Sequence, residues 1–356
     1  NTAFFRISLI ATTLALFVVV LGAYVRLSDA GLGCPDWPGC YGQVLAPTET
    51  HDITAANNAF PERPVESPKA WKEMIHRYFA STLGLLILVM AAIAWKQRKQ
   101  QEQQVKLPLF LVLLVGFQGA LGMWTVTMLL KPAIVSLHLL GGMLTLAMLW
   151  WVTLTHQHNS RENSNNSLQV SSAIKRWTLL ALVVVYCQIA LGGWTSTNYV
   201  ALYCSDLPTC QGQWFPPTDF KAGFNLWPKG DTDTNYEGGV LSPEAGTAVH
   251  LTHRIGALIT LLVVGGLMLK LFLLGTVAGR RFGLLLTAVL GIQISLGLLN
   301  IILVLPIPIA VAHNGGAALL LLTLVTINRK IRVVEQTPAT NNMDASFKLN
   351  AKVQTT

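Results

Sequence analysis

The chain has 356 residues, of which 52% are hydrophobic and only 12% are charged, with a formal net charge of +8. Such a composition is typical of a protein that crosses a membrane several times. The positive charge does not indicate nucleic-acid binding, because the basic residues are concentrated in a few connections between long apolar stretches.

Eight apolar stretches are long enough to cross a bilayer as helices. The first has an arginine before its apolar run, but it does not end in a small-residue cleavage site, so we interpret it as a retained helix and not as a signal peptide. The sequence therefore predicts an all-α integral membrane protein with eight transmembrane helices, at about 7–27, 72–94, 107–130, 133–155, 177–199, 247–272, 283–304 and 307–327.

The charge distribution predicts the orientation. Ten basic residues lie in the connections after the second, fourth and sixth spans: Lys96, Arg98, Lys99, Lys106, Arg161, Lys175, Arg176, Lys270, Arg280 and Arg281. The long loops at 28–71 and 200–246 hold most of the acidic residues. The positive-inside rule then places both termini in the cytoplasm and the long loops outside, in the periplasm of a bacterium. Since no Arg-rich, acid-poor presequence is visible, a bacterial inner membrane is favoured over an organelle.

An internal repeat divides the chain into two halves. Residues 21–43 align without a gap on 191–213, and cysteine, aspartate, proline and glycine residues recur 170 positions later. Each half has four spans, so the copies enter the membrane in the same orientation and are predicted to be related by a pseudo-twofold axis along the membrane normal. The predicted units are 1–156, a cytoplasmic linker at 157–175, 176–332, and a disordered cytoplasmic tail at 333–356.

The repeated cysteines lie in the outer loops, as Cys34 with Cys40 and Cys204 with Cys210. Thiol pairs that face an oxidising compartment usually form disulfides, and we expect ordered loops that cover the bundle. A redox-active or heme-handling role for these cysteines stays open.

Four histidines stand inside apolar spans, and they also repeat. His253 follows His76 by 177 residues, and His313 follows His138 by 175. Imidazoles within lipid-spanning helices are costly and usually functional, and two facing histidines in a helical bundle are typical ligands of a heme iron. The glycines that follow the fourth-span and eighth-span histidines are expected to leave room for the macrocycle: Gly141, Gly142, Gly315 and Gly316.

The neighbours of two histidines extend this site. Arg77 and Arg254 follow His76 and His253 directly and either pair with heme propionates or act as interfacial cations. Glu73 precedes His76 by one turn, where it either serves acid–base chemistry or is favoured by the helix dipole. The equivalent residue of the second half is His250, interpreted as a surface residue. This asymmetry suggests that one half performs chemistry and the other carries electrons.

Three motifs resemble the heme A synthase family: GLGCPDWP at 31–38, EMIHR at 73–77, and the pair His253–Arg254. The resemblance covers nearly the whole chain. It implies an eight-helix protein with two similar four-helix halves. Its implied activity is the conversion of heme O to heme A, by oxidation of a ring methyl group to a formyl group with oxygen taken from water.

The resemblance also implies roles for residues. His253 and His313 would hold heme b as a cofactor, His76 and His138 would flank the substrate heme, and Glu73 would take part in catalysis. Heme O synthase (protoheme farnesyltransferase) is the implied heme donor, an unidentified acceptor takes the electrons, and heme A serves oxidase assembly. Membrane lipid is the surrounding partner, and a homo-oligomer stays open.

Two other functions compete with this one. A di-heme b-type protein would pass electrons between quinol and an outer partner, and a heme carrier would use the loops to hand heme outward. All four histidines lie near one face, which argues against electron transfer across the bilayer.

Overall fold

The computed structural model describes residues 2–99, 104–157, 168–227 and 234–333. Within these ranges, eight helices are long and apolar enough to cross a membrane, so the predicted helical membrane architecture is confirmed. They are α1 Thr2–Leu27, α3 Ser67–Lys96, α4 Lys106–Thr127, α5 Pro132–His156, α6 Ser172–Thr197, α8 Pro243–Leu273, α9 Val277–Ile302 and α10 Ile307–Lys330. Two short helices, α2 Thr50–Ala59 and α7 Phe220–Gly223, lie in the long loops.

Five of the long helices begin four to six residues earlier than hydropathy predicts: α1, α3, α6, α8 and α9. Helix α3 begins at Ser67 and α8 at Pro243, each four or five residues before the apolar stretch. Both have a proline in the first turn, where its missing N–H costs no hydrogen bond. In α8 the Ser242 side chain also accepts a hydrogen bond from the Ala245 amide at 3.3 Å. These polar first turns extend each helix outward beyond its apolar part.

Helix adjacency repeats between the halves. In the first half, α1 contacts α3 and α5, and α4 contacts the same two helices, which closes a four-helix ring. In the second half, α6 contacts α8 and α10, and α9 contacts both of these. The halves meet where α1 contacts α10, α5 contacts α6, and α5 contacts α10. An internal duplication predicts this pattern, and the pseudo-twofold axis itself stays a prediction.

Polar contacts join the two halves at both ends of the bundle. Near the outer ends, Arg26 donates to the Ser196 carbonyl at 2.6 Å and lies over the Tyr199 ring at 3.8 Å. Towards the opposite end, the Trp150 indole donates to the Thr326 hydroxyl at 2.8 Å. Because water is scarce in a bilayer, such contacts also satisfy polar groups that hydrocarbon would leave unpaired.

A two-stranded parallel pairing was not predicted. Strand β1, Leu168–Val170, pairs with β2, Ile331–Val333, so the segment before α6 is joined to the segment after α10. Strands of three residues carry too little periodicity to be recognised in a sequence. Most of the predicted linker and tail, 158–167 and 334–356, lies outside the described residues, so those boundaries stay predictions.

Candidate functional site

The two predicted histidines of the first half face each other. His76 on α3 and His138 on α5 have ring centroids 6.5 Å apart, with ring planes at 69°. Two imidazoles that bind one metal ion from opposite sides, with metal–nitrogen bonds of about 2 Å, have ring centroids about 6 Å apart. The separation therefore suits an iron atom placed between the two rings.

A cavity of about 520 Å³ surrounds this pair. It is lined by helices of the first half, by a few residues of the second, and by Trp37 of the first outer loop. Glu73, His76, Arg77 and His138 all contribute to its wall, and most of the other lining residues are apolar or glycine. A large apolar cavity with a few convergent polar groups is the usual form of a small-molecule site.

A glycine from a neighbouring helix lies against each of the four histidines. A Cβ atom built on Gly22 would lie 3.0 Å from His76 Nε2, and one on Gly192 would lie 3.1 Å from His253 Cε1. The corresponding distances to Cε1 are 3.5 Å from Gly122 to His138 and 3.1 Å from Gly297 to His313. These glycines lie 170 and 175 residues apart in the two halves, as 192 − 22 and 297 − 122. Each imidazole therefore occupies the space that a side chain would fill if the adjacent glycine were replaced by a larger residue.

Sequence reasoning missed this role, although the signal was visible. Gly122, Gly192 and Gly297 each end a Gln-x-x-Leu-Gly element, a repeated pattern whose small residue by itself predicts only close helix packing. The glycines that were expected to make room for a macrocycle behave differently. Gly141 and Gly316 instead accommodate the side chains of Gln118 and Gln293, which a Cβ atom would displace. That expectation was wrong for these two positions, because they face a neighbouring glutamine.

Glutamine side chains contact the histidines of the second half. The Gln188 amide nitrogen lies 3.1 Å from His253 Nδ1 and donates to the His253 carbonyl at 3.0 Å. Gln293 approaches His313 Nε2 at 3.4 Å. The first-half equivalent of Gln188 is position 18, since 188 − 170 = 18, where Val18 lines the cavity. The second-half histidine on α8 is thus anchored by an amide that its first-half counterpart lacks.

The two outer loops carry the predicted disulfides, Cys34–Cys40 and Cys204–Cys210, and this prediction is confirmed. Each loop turns around an aspartate side chain. Asp36 accepts from the Tyr41 and Gly42 amides at 2.6 and 2.8 Å. Asp206 accepts from the amides of Gln211 and Gly212 at 2.6 and 3.0 Å and from the Thr209 hydroxyl. These bonds, first among them the one from Thr209, lower the pKa of Asp206 to about 2.

Glu73 and His250 occupy equivalent positions and make equivalent contacts. Glu73 Oε2 accepts from the Cys34 amide at 3.0 Å, and His250 Nδ1 accepts from the Cys204 amide at 3.0 Å. Both side chains are buried, with 5% and 3% of their surface exposed. The interpretation of His250 as a surface residue was wrong, because the second outer loop covers it. Each half therefore holds its disulfide loop through one acceptor, which is a carboxylate only in the first.

The two arginines attach the same loops. Arg77 donates to the carbonyls of Asp36, Pro38 and Gly39 at 3.1, 3.2 and 2.5 Å, and it forms an ion pair with Glu73. Arg254 donates to the carbonyls of Thr209 and Cys204 at 2.8 and 2.5 Å. Both guanidiniums thus connect a histidine-bearing helix to the adjacent loop, and their pairing with propionates stays a prediction.

The fifth cysteine differs from expectation. Cys187 stands alone inside the fifth predicted span, where the sequence predicts an ordinary buried small apolar residue. In the structure it lies on α6, and it is free and exposed on the surface of the bundle. Its position on an apolar helix makes lipid its natural surroundings, which explains why a small apolar side chain suits it.

The amino-acid sequence is similar to known proteins over most of its length. The family model described as Cytochrome oxidase assembly protein (COX15-CtaA) matches residues 5–325. A protein of Shewanella oneidensis named Heme A synthase is 47% identical over 323 residues, which cover 91% of this chain and 94% of that protein. A protein of the same name from Caulobacter vibrioides is 26% identical over 91% of this chain and 94% of its own length. Another, from Shouchella clausii, is 28% identical over 59% of this chain and 65% of its own length.

Proposed function

The chain belongs to the COX15-CtaA family of cytochrome oxidase assembly proteins, and from this premise we propose that it converts heme O to heme A. The observation that carries the proposal is the first-half cavity, which brings Glu73 together with the facing imidazoles of His76 and His138. A heme iron fits between these two rings, and an ionisable carboxyl group lies one helical turn away.

We assign different roles to the two histidine pairs. His76 and His138 flank the substrate heme, because their cavity is large and apolar. His253 and His313 hold a heme b cofactor in the second half. Each of their imidazoles abuts a glycine of a neighbouring helix, as in the first half. When bound, this heme supplies reversible one-electron chemistry.

The reaction consists of two oxidations and one dehydration. Oxidation of the ring methyl group with one water gives an alcohol, two protons and two electrons. A second oxidation with water gives the hydrate, again with two protons and two electrons, and loss of water then leaves the aldehyde. The chemistry therefore requires an electron acceptor outside this chain and a proton acceptor near the methyl group. Glu73 is positioned to accept protons, and its carboxylate stabilises positive charge that develops on the methyl carbon.

The Cys34 amide and Arg77 position the Glu73 carboxyl group. One carboxylate oxygen accepts from the amide and the other is paired with the guanidinium. Because both contacts come from groups attached to the outer loop, the loop also shields the carboxyl group from water. The cavity can thus contain a reactive substrate carbon beside a fixed acid–base group.

The cellular setting that we propose follows from charge and family. The protein lies in a bacterial inner membrane with both termini in the cytoplasm and the disulfide loops in the periplasm, where thiols are oxidised. Heme O synthase supplies the substrate, whose isoprenoid chain favours entry from the lipid. The product serves oxidase assembly, and a pseudo-twofold axis relates the two halves.

Pigment extraction tests the proposal. The protein is expressed with a heme O source, and the extracted hemes are separated and identified, alongside the variants His76→Ala, His138→Ala, His253→Ala and His313→Ala. We expect heme A or its hydroxylated intermediate from the unaltered protein. The first two variants should lose the substrate heme, and the last two should lose heme b. A di-heme electron-transfer protein or a heme carrier would return only the hemes supplied, and that result would overturn the proposal.

A further inference from the structure

The first-half cavity extends well beyond the histidine pair. It continues between α3 and α4, where Gly84 and Leu88 line it on one side and Val112 and Gly116 on the other. Leu88 follows His76 by twelve residues, a distance of about 18 Å along the helix axis at 1.5 Å per residue. A planar macrocycle centred between His76 and His138 extends inward by only half its width. The deeper part of the cavity is therefore available to something other than the ring.

Glycines keep this deeper part open. A Cβ atom built on Gly116 or Gly119 would meet nothing within 4 Å, and one on Gly84 would meet only Val115 at 3.9 Å. Gly116 and Gly119 are also exposed, so the space beside them opens on the surface of the helix bundle. These glycines are not required for helix packing, since a side chain there would not collide with the protein. They instead maintain a groove between the two helices.

The second half lacks two of these glycines. The equivalent of Gly84 is Leu261, since 84 + 177 = 261, and the equivalent of Gly119 is Ile294, since 119 + 175 = 294. Ile294 is partly buried and packs against the hydrophobic core. Gly116, in contrast, is matched by Gly291, as 116 + 175 = 291. The space between the corresponding helices thus has larger side chains in the half to which we assign heme b.

We propose that the groove defined by Gly84, Gly116 and Gly119 binds the isoprenoid chain of the substrate and selects heme O for the first half. The inference rests on the proposed function. Heme O differs from heme b by an apolar isoprenoid chain, and heme b has no substituent long enough to fill the groove. The surrounding side chains, Leu88, Val112 and Val115, offer only hydrocarbon. Because the groove opens on the lipid-facing surface, the chain can enter from the bilayer.

The same placement orients the macrocycle. The isoprenoid chain and the propionates lie on opposite edges of the ring, so a chain in the deep groove directs the propionate edge outward. The methyl group to be oxidised neighbours a propionate, and Glu73 lies at the outer end of the cavity. The groove would then select the substrate and also bring its reacting edge to the carboxyl group.

Filling the groove tests the inference. The variants Gly116→Leu and Gly119→Leu are purified with the second-half heme in place. Binding of heme O and of heme b (protoheme) to the first half is then titrated by absorbance. The matched control is Gly291→Leu, which adds the same side chain at the equivalent point of the second half. We expect heme O affinity to fall by about tenfold or more in the two variants, with protoheme affinity nearly unchanged. The control should bind both hemes as the unaltered protein does.

Other results would overturn the inference. Equal losses of affinity for heme O and protoheme would show that the substitution disturbs binding of the macrocycle and not of the isoprenoid chain. Unchanged affinity for both would show that the groove is not used. These readings do not depend on turnover. Should the unaltered protein fail to make heme A while Gly119→Leu selectively weakens heme O binding, the proposed function would fail and the groove assignment would remain.

Discussion

The two halves hold their histidines in the same frame but surround them differently. In both, a disulfide loop is held by a buried acceptor on α3 or α8, and a glycine abuts each imidazole. The acceptor is Glu73 in the first half and His250 in the second. The duplicated frame thus presents a carboxyl group to only one of the two histidine pairs.

A second difference concerns how firmly each pair is held. In the second half, the Gln188 amide contacts the ring of His253 and donates to its backbone carbonyl, which holds this residue in place. In the first half, Val18 takes that position and the surrounding space is a cavity. A fixed ligand suits a permanent cofactor, while an open apolar cavity suits a substrate that enters and leaves. On our proposal, one scaffold therefore supports two roles through a few substitutions around unchanged histidines.

The largest expected effect is on the conversion of heme O, and it should distinguish Glu73 from His250, the equivalent residue of the second half. Glu73→Gln should leave both hemes bound but slow conversion by about 10²–10⁴-fold, because the amide cannot take up a proton. The matched control, His250→Gln, retains an acceptor for the Cys204 amide and should convert heme O normally. The yield of heme A per bound heme is measured for both variants. Full activity of Glu73→Gln would remove this carboxyl group from the mechanism.

The glycine contacts should separate the two heme sites. Gly22→Leu places atoms against His76 Nε2, and Gly192→Leu places them against His253 Cε1. Each variant should lose about 10–100-fold in affinity at its own site only, a range typical of displaced ligand surroundings. Pyridine hemochrome analysis of the purified proteins gives the number of hemes bound per protein.

The control for this pair is Gly265→Leu on α8, where a Cβ atom would meet nothing within 4 Å. It should retain both hemes. Loss of both hemes from either test variant would indicate general misfolding and contradict two separate sites.

Opening the disulfides should distinguish the loops. Replacing either cysteine pair by serines removes a short closed loop and should cost about 2 kcal/mol of unfolding free energy. Only Cys34→Ser with Cys40→Ser should also slow conversion, because the Cys34 amide positions Glu73. Thermal unfolding and heme A yield are measured for both pairs. Equal slowing by the Cys204→Ser, Cys210→Ser protein would contradict this coupling.

The smallest expected effect is a pH dependence in the second loop. The folded pKa of Asp206 is about 2, below its unfolded value of 3.8, so its carboxylate stabilises the fold at higher pH. This contribution is complete above about pH 5 and is lost as the pH falls through about 2. The Tm difference between the unaltered protein and Asp206→Asn should therefore be constant from pH 5 to 7 and shrink towards pH 2. A difference that stays constant down to pH 2 would mean that the hydrogen bonds to Asp206 are not selective for its charged form.

Much of the molecule could be predicted from its sequence. Long apolar stretches require helices in a bilayer, so all eight spans were found, although five of the helices begin four to six residues before their predicted starts. The cysteine pairs predicted their disulfides, and the repeat predicted helix adjacency. The four-histidine pattern indicated the site because imidazoles are rare in lipid-spanning segments.

Other features depend on contacts between segments that are distant in the chain. The burial of His250 requires a loop that folds back onto α8, and the parallel pairing of Leu168–Val170 with Ile331–Val333 joins segments more than 160 residues apart. Arg77 and Arg254 were known to adjoin histidines, but their attachment to loop carbonyls depends on loop conformation.

The sequence by itself determined that this is a helical membrane protein with a duplicated set of histidines near one face, because hydrophobic length and residue spacing are local properties. Only the tertiary structure decided which groups meet those histidines, since this depends on how neighbouring helices are rotated and spaced. A glycine in a helix permits close approach, but the approaching group is known only once the helices are assembled. Gly22 and Gly116 illustrate this, because one touches an imidazole and the other borders open space.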